Sequence, residues 1–310
     1  MIDVKGLTKH YQSLKAIDNL NFTIEKGEIV GFLGPNGAGK TTTMKLLTCF
    51  MPPTSGTATI NNLSIIKDSM QIQSLIGYLP ENNPLYTDMT VLQYLKFIAD
   101  IRRIPQSTYQ HAIDRVISLC ELNSVLHQSI EACSKGFKQR VGLAQALIHK
   151  PKILILDEPT VGLDPNQIIE IRNLIKELGQ DTTIILCSHI LSEVAATCSN
   201  VFILKKGHII AQGSPETLQK QNNLSYKILI ELTAPLAELK ASLEPLNLAI
   251  QTIKHQKKAA SFFSYELSCD SDCRTALFEL AVAKKWTVKE LTLEKHSLED
   301  TFIELTKDLS

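Results

Sequence analysis

The sequence predicts an α/β chain: a mostly parallel sheet flanked by helices, with an N-terminal antiparallel β subdomain, a helical insert and a small C-terminal α+β domain. Three observations predict it. A glycine-rich octapeptide, Gly34-Pro-Asn-Gly-Ala-Gly-Lys-Thr41, lies between an apolar run at 28–33 and a helix-compatible stretch at 42–49. A second apolar run, Ile153-Leu-Ile-Leu156, ends in Asp157 and Glu158. Strand-like and helix-like segments then alternate to about residue 211, the order that builds a parallel, two-sided sheet.

The elements follow in order. Residues 1–26 read as two short strands around Gln12-Ser-Leu14, and strand 28–33, the glycine-rich loop and a helix to about residue 48 come next. Pro52-Pro-Thr-Ser-Gly56 is a turn cluster, and 57–60 and 75–79 look like further strands. From about Met89 to His149 the pattern is almost entirely helical, broken at Pro105 and Ser134-Lys-Gly136; a helix over 90–103 places Val91, Leu92, Leu95 and Ile98 on one face. The alternation resumes with strand 153–156, a helix from about 167 to 178, strand 182–187 and a helix from near Ile190. Segments 201–204 and 208–211 pair as a hairpin around Lys205-Lys-Gly207. Gln221-Asn-Asn223 marks a linker and divides the chain into 1–220 and 221–310. The second part reads as strand 225–233, helix 235–243, strands 247–254 and 260–267, helix 272–285, strand 286–292 and helix 297–307. That βαββαβ order suits a small α+β sandwich.

The octapeptide fits G-x-x-x-x-G-K-[ST], the phosphate-binding loop of a P-loop NTPase, in the strand–loop–helix context that the motif requires. Its candidate nucleotide-binding residues are Gly34, Pro35, Asn36, Gly37, Ala38, Gly39, Lys40, Thr41 and Thr42. Backbone N–H groups and the positive end of the following helix face an anion there. Lys40 can reach the β- and γ-phosphates, and the Thr41 hydroxyl can ligate Mg²⁺. A glycine turn that binds nothing would share the glycines but leave the Lys-Thr pair unexplained. Asp157 and Glu158 emerge at the C-terminal end of a strand, the edge at which open α/β sheets bind ligands. Asp157 would contact Mg²⁺, and Glu158 would polarise the water that attacks the γ-phosphate. Solvated strand-end carboxylates are the plainer alternative, which the neighbouring phosphate loop argues against. His189 follows strand 182–187 on the same edge, where an imidazole can steady that water.

With these residues in place, residues 1–220 resemble the ATP-binding cassette (ABC) ATPases. The family's signature, Leu-Ser-Gly-Gly-Gln, corresponds to Cys133-Ser-Lys-Gly-Phe137: Ser134 and Gly136 match, while Cys133, Lys135 and Phe137 depart. The resemblance implies that Ser134 and Gly136 meet the γ-phosphate held by a second copy in a head-to-tail dimer. Lys135 either adds a cation near that phosphate or stays solvated. Gly162-Leu-Asp164-Pro165 resembles the loop that couples the two sites across the dimer, which makes Asp164 a candidate. Tyr11 occupies the place of the aromatic that stacks on adenine, and Glu81 stands where most members carry a glutamine that ligates Mg²⁺. ATP and Mg²⁺ are thus the implied cofactors, and a second ATP-binding subunit and an integral membrane permease the implied partners, the permease engaging the helical insert at about 89–149. The segment Glu294-Lys-His-Ser-Leu-Glu-Asp-Thr-Phe-Ile-Glu-Leu-Thr306 resembles the closing helix of cassette subunits that serve a separately encoded, exporter-type permease. The whole chain is similar to multidrug or gliding-motility-type subunits, the latter through Tyr78-Leu-Pro-Glu-Asn-Asn-Pro-Leu-Tyr86.

Composition narrows the alternatives. Lys and Arg number 32 and Asp and Glu 32, so bulk charge gives no reason to expect nucleic acid or an anionic membrane surface as a partner. No apolar run approaches the ~18 residues of a membrane-spanning helix, and Met1-Ile-Asp-Val-Lys-Gly6 lacks the apolar core of a signal peptide. The expected place is the cytoplasm, and the resemblance implies the cytoplasmic face of the inner membrane. Seven cysteines, an odd number, suggest reduced thiols. Cys269 and Cys273 lack the further ligands that a zinc site needs. Two rival functions remain: a soluble ABC ATPase acting on ribosomes or DNA, which usually joins two cassettes or carries a coiled coil, and a non-hydrolysing ATP-binding regulator, against which Glu158 and His189 both argue.

Overall fold

Alternation of apolar and polar residues gives β1 (Ile2–Tyr11) and β2 (Leu14–Ile24) one buried face each, with Ile2, Val4 and Leu7 meeting Ile17, Leu20, Phe22 and Ile24. These strands are longer than the sequence suggested. In the computed structural model, which describes residues 1–221, 226–243, 250–259, 262–269 and 271–294, compact packing divides the chain into Met1–Pro215 and Glu216–Ser310. No described helix is long and apolar enough to cross a membrane.

The first unit continues with β3 (Ile29–Leu33), α1 (Lys40–Leu47), β4 (Ser55–Ile60), β5 (Leu63–Ser64), α2 (Ser69–Leu75) and β6 (Ile76–Leu79). The strand expected at 57–60 starts two residues earlier, inside the predicted turn, because Ser55 pairs with Thr8 of β1. Both β5 and α2 were unforeseen. The first is two residues long, and the second buries only Ile72. The helical insert holds α3 (Val91–Ile101), α4 (Tyr109–Leu119) and α5 (Lys135–Leu147). Helix α3 begins at a capping box between Thr90 and Gln93 and stops at Ile101, short of the expected 103, where Arg103 takes a positive φ of 51°. Its buried stripe is Val91, Tyr94, Leu95, Ile98 and Ala99, while Leu92 is only half-buried. The unit closes with β7 (Ile153–Asp157), α6 (Pro165–Leu178), β8 (Thr183–Ser188), α7 (Leu191–Thr197) and the hairpin β9 (Asn200–Lys205)–β10 (His208–Gly213). A short helix, α8 (Pro215–Gln221), starts at its end.

Two sheets result. One is antiparallel, in the order β2-β1-β4-β5; the other runs β10-β9-β3-β8-β7-β6, parallel except for β10. The rings of Phe22, Phe32 and Phe202, with centroids 5.1–5.2 Å apart, join them through a shared core. Strands β3, β7 and β8 are buried throughout or nearly so, as expected of a sheet covered on both faces. Register aligns their C-terminal ends: Asp157 stands opposite Cys187, and Leu33 opposite Ser188. The loops after these three strands therefore share one edge.

The second unit shows the predicted βαββαβ order: β11 (Tyr226–Leu232), α9 (Leu236–Leu243), β12 (Ile250–Ala259), β13 (Phe262–Cys269), α10 (Arg274–Ala283) and β14 (Val288–Glu294). Its sheet is antiparallel, in the order β12-β13-β11-β14. Inward residues of β11, namely Ile228, Ile230 and Leu232, pack with Leu239, Tyr265, Leu267 and Leu277. The Sγ atoms of Cys269 and Cys273 lie 3.0 Å apart, both buried in this core. The expected linker residues 222–223 and the helix over 297–307 fall outside the described residues.

Helix α5 lies against β6 at Gly77, where a Cβ would run into the carbonyl of Ala146 and stand 3.0 Å from Pro151 Cγ. A backbone atom cannot yield as a side chain can. Gly77→Ala is therefore expected to destabilise the first unit by about 1–3 kcal/mol, read as a lowered urea midpoint.

Candidate active site

The apolar residues of β3 fix the start of the phosphate loop, and α1 fixes its end. At the junction Gly39 caps α1 with φ 106°, and a Cβ there would lie 2.6 Å from Ile17 Cγ2 and 2.7 Å from the Ala16 carbonyl. Only glycine meets both conditions. Lys40 is buried at 6% exposure, and its ammonium donates to the carbonyls of Gly34 at 2.7 Å and Pro35 at 3.4 Å. It also stands 3.6 Å from Glu158 Oε1. Ala38 N–H donates to Pro35 O at 3.2 Å and closes the loop, whose residues 35–37 are exposed.

A cleft of about 700 Å³ opens above this loop. Asn36, Gly37, Ala38, Gly39, Lys40, Thr41 and Thr42 form its floor, and Tyr11, Glu81, Glu158 and His189 complete much of the lining. Gly34 and Pro35 enter through the carbonyls that hold Lys40. Tyr11, 41% exposed, donates from its hydroxyl to Met51 Sδ at 2.9 Å. Sequence reasoning missed Leu14, Lys15, Ala16, Val161 and Lys206, which also line the cleft. Lys15 comes from the start of β2 and Lys206 from the β9–β10 turn, which no local signal relates. Gly207 N–H donates to Ala38 O at 3.0 Å, and this bond brings that turn against the loop.

Glu158 follows β7 with a left-handed φ of 52°, its N–H bound to Cys187 O at 2.9 Å. Such a conformation in a non-glycine residue persists only where its surroundings enforce it. Its Oε2 lies 2.9 Å from Nδ1 of His189. A carboxylate only accepts, so Nδ1 carries the proton and Nε2 is the ring's acceptor. Asp157 is fully buried beneath the cleft, and neither carboxylate oxygen has a hydrogen-bonding partner among the described residues. Burial pushes its carboxyl up to about 6; the nearby Thr41 hydroxyl opposes the shift, and the charges of Glu158 and Glu81 add to it. These orphaned oxygens, the Thr41 hydroxyl and the exposed Glu81 are hard-oxygen donors of the kind that could hold Mg²⁺. No group of three or more His, Cys, Asp or Glu side chains suited to a metal occurs among the described residues, but Mg²⁺ at a phosphate site uses only one or two carboxylates.

Three predicted residues lie elsewhere. Ser134 caps α5, its Oγ accepting from Phe137 N at 3.3 Å, and Gly136 packs against the Gln167 side chain. Asp164 caps α6, accepting from Gln167 N at 3.0 Å. None of them lines the cleft of its own chain. Lys135 is exposed, and its ammonium lies over Gly162.

Asp157 carries a stability prediction. A folded-state carboxyl raised from 3.8 to about 6 is favourable to the fold while protonated, and that contribution is lost as pH rises through about 6. Asp157→Asn removes the ionised form. In metal-free, nucleotide-free protein it is expected to raise stability at pH 8 by about 1–3 kcal/mol, a gain that fades toward pH 4. Thermal unfolding across that range measures it.

Comparison with known proteins places the arrangement. Residues 17–161 match the family model described as ABC transporter. Across 99% of its length the chain is 34% identical to an uncharacterized ABC transporter ATP-binding protein of Bacillus subtilis, YhcH, and covers 96% of it. It is also 34% identical to the bacitracin transport ATP-binding protein BcrA of Bacillus licheniformis, covering 98% of this chain and 97% of that one. The fold matches a dimeric structure of a bacterial ABC transporter cassette with a TM-score of 0.64 at 25% identity, over 69% of this chain and 98% of that chain. A phosphate loop, a buried acidic strand end and a histidine on one sheet edge, in a chain alike end to end with such proteins, make it a member of the ABC transporter ATP-binding proteins, the ATPase subunits of ABC transporters.

Proposed function

We propose that the chain hydrolyses ATP in the cleft at 34–42 and that closure and reopening of a homodimer drive export through a separate membrane permease. The observation that carries this reading is the Lys40–Glu158–His189 cluster at the end of the phosphate loop. Tyr11 would stack on the adenine. Backbone N–H groups of 36–42 and the N-terminus of α1 would hold the phosphates. Lys40, held by its own loop's carbonyls, would turn to the β- and γ-phosphates when an anion competes for its ammonium. Thr41, Asp157 and Glu81 would hold Mg²⁺, which when bound neutralises charge on the phosphate oxygens. Glu158 accepts the proton of the attacking water, and His189, oriented by that same carboxylate, steadies that water by accepting its other O–H at Nε2.

Ser134, Gly136 and Asp164 would serve the partner's nucleotide. Their position away from their own cleft, and the dimeric cassette of similar fold, support this. Residues 1–220 form the cassette in this reading, with the insert at 89–149 receiving the permease and 221–310 acting as an accessory domain. The protein would work at the cytoplasmic face of the membrane. End-to-end similarity to a bacitracin transport subunit supports an export role.

Purified protein is expected to hydrolyse ATP, and Glu158→Gln to lower kcat by about 10²–10⁴-fold. The same variant should accumulate an ATP-bound dimer on size-exclusion chromatography. Undiminished turnover would overturn the role given to Glu158.

A further inference from the structure

Glu193 stands in the first turn of α7, where an acidic side chain usually stays in solvent and favours the positive end of the helix dipole. This one does not stay in solvent. It is 7% exposed, and no cation lies within ion-pairing distance among the described residues. Its Oε2 accepts from the Thr160 hydroxyl at 2.6 Å and from the Ser188 hydroxyl at 3.3 Å. A buried carboxylate without a cation is costly unless hydrogen bonds satisfy it, so these two hydroxyls make its placement possible.

Both hydroxyls belong to the segments that carry the proposed chemistry. Thr160 lies two residues after Glu158, in consecutive turns closed by Val161 N–H to Glu158 O at 3.3 Å and Leu163 N–H to Thr160 O at 3.2 Å. Ser188 precedes His189, and its Oγ also accepts from Ile190 N at 3.0 Å, so it brackets the histidine from both sides. On the other flank, Glu158 is held by its bond to Cys187 O. The left-handed backbone at Glu158 is thus restrained on both flanks, and on one of them Glu193 acts through Thr160.

We propose that Glu193 is a positioning residue for ATP hydrolysis: one buried carboxylate oxygen ties the turn after Glu158 to the turn bearing His189, and so fixes the bond between those two side chains. The inference rests on the roles given above to Glu158 and His189. Glu193 touches neither side chain and acts through Thr160 and Ser188. A glutamine there fills the same space and keeps an acceptor oxygen but loses the charge that strengthens both bonds, so it weakens the tie; an alanine removes it.

The test compares wild type, Glu193→Gln, Glu193→Ala, His189→Ala and the His189→Ala/Glu193→Gln double variant in kcat, KM for ATP and affinity for a non-hydrolysable ATP analogue. Misplaced catalytic groups cost up to about 10²-fold, so kcat is expected to fall ~5–20-fold in Glu193→Gln and further in Glu193→Ala. KM and analogue affinity should stay within about twofold, and Glu193→Gln should cost under about twofold in the His189→Ala background, since acting through His189 predicts non-additivity. In nucleotide-free protein, amide hydrogen exchange should quicken over 158–163 and 188–192 in both Glu193 variants, and nowhere else in the first unit. An equal loss of kcat in both backgrounds would mark a merely structural residue and overturn the proposal. If His189→Ala left turnover intact, the reading of the site itself would fail. Exchange would then decide alone: unchanged protection in Glu193→Ala overturns the tie.

Discussion

One ammonium and two carboxylates are buried together at the end of the parallel sheet, and much of the rest answers to that fact. Lys40 and Glu158 are each 6% exposed, and Asp157 is inaccessible. Their formal charges sum to −1 in a place where charge is expensive to desolvate. Glu158 is offset by Lys40 and by the imidazole proton of His189. Neither oxygen of Asp157 has a hydrogen-bonding partner among the described residues, and the nearby Thr41 hydroxyl and the Lys40 charge offset its burial only in part. A fold that keeps such a group has stability to gain from a cation, and a nucleotide's metal is the cation that this loop would bring. The same cluster explains why β3, β7 and β8 are aligned so closely: a slip of one residue in β7 would carry Asp157 to the other face of the sheet.

Much of this was legible in the sequence because it is local. The phosphate loop carries its chemistry in eight consecutive residues, and an apolar run ending in Asp157-Glu158 announces a buried strand with charge at its tip. Strands of five or six apolar residues and helices of ten or more with a clear buried stripe are strong signals. What escaped was short or tertiary. Helix α2 buries one residue, so no periodicity marks it. Lys15 and Lys206 reach the cleft from hairpins almost two hundred positions apart, brought there by β-pairing and by the bond from Gly207 to Ala38. Glu193 reads as an ordinary first-turn glutamate; only its contact with Thr160, thirty-three positions earlier, gives it away. The reading of Lys135 also changes: the side chain is exposed, as a solvated lysine would be, yet its ammonium rests on Gly162, a contact no spacing rule suggests.

The segments that do not reach the cleft have an order of their own. Gln167 binds the Asp164 cap with both its N–H and its side-chain carbonyl, and its amide packs on Gly136. Buried Arg140 on α5 pairs with Glu121 and with Glu170 on α6. The starts of α5 and α6 are thus locked side by side, with Lys135 lying between them and Gly162. Helix starts concentrate unsatisfied N–H groups and partial positive charge, and a lysine at the first position of α5 adds to that charge where an acidic residue would be favoured. An arrangement this positive is stable only with an anion nearby or with water to screen it. The chain's own phosphate loop lies in another cleft, so in the proposed dimer the anion that meets Ser134 and Lys135 would be the nucleotide of the second copy. The place where α5 and α6 begin is the physical reason for proposing that this chain is half of a site.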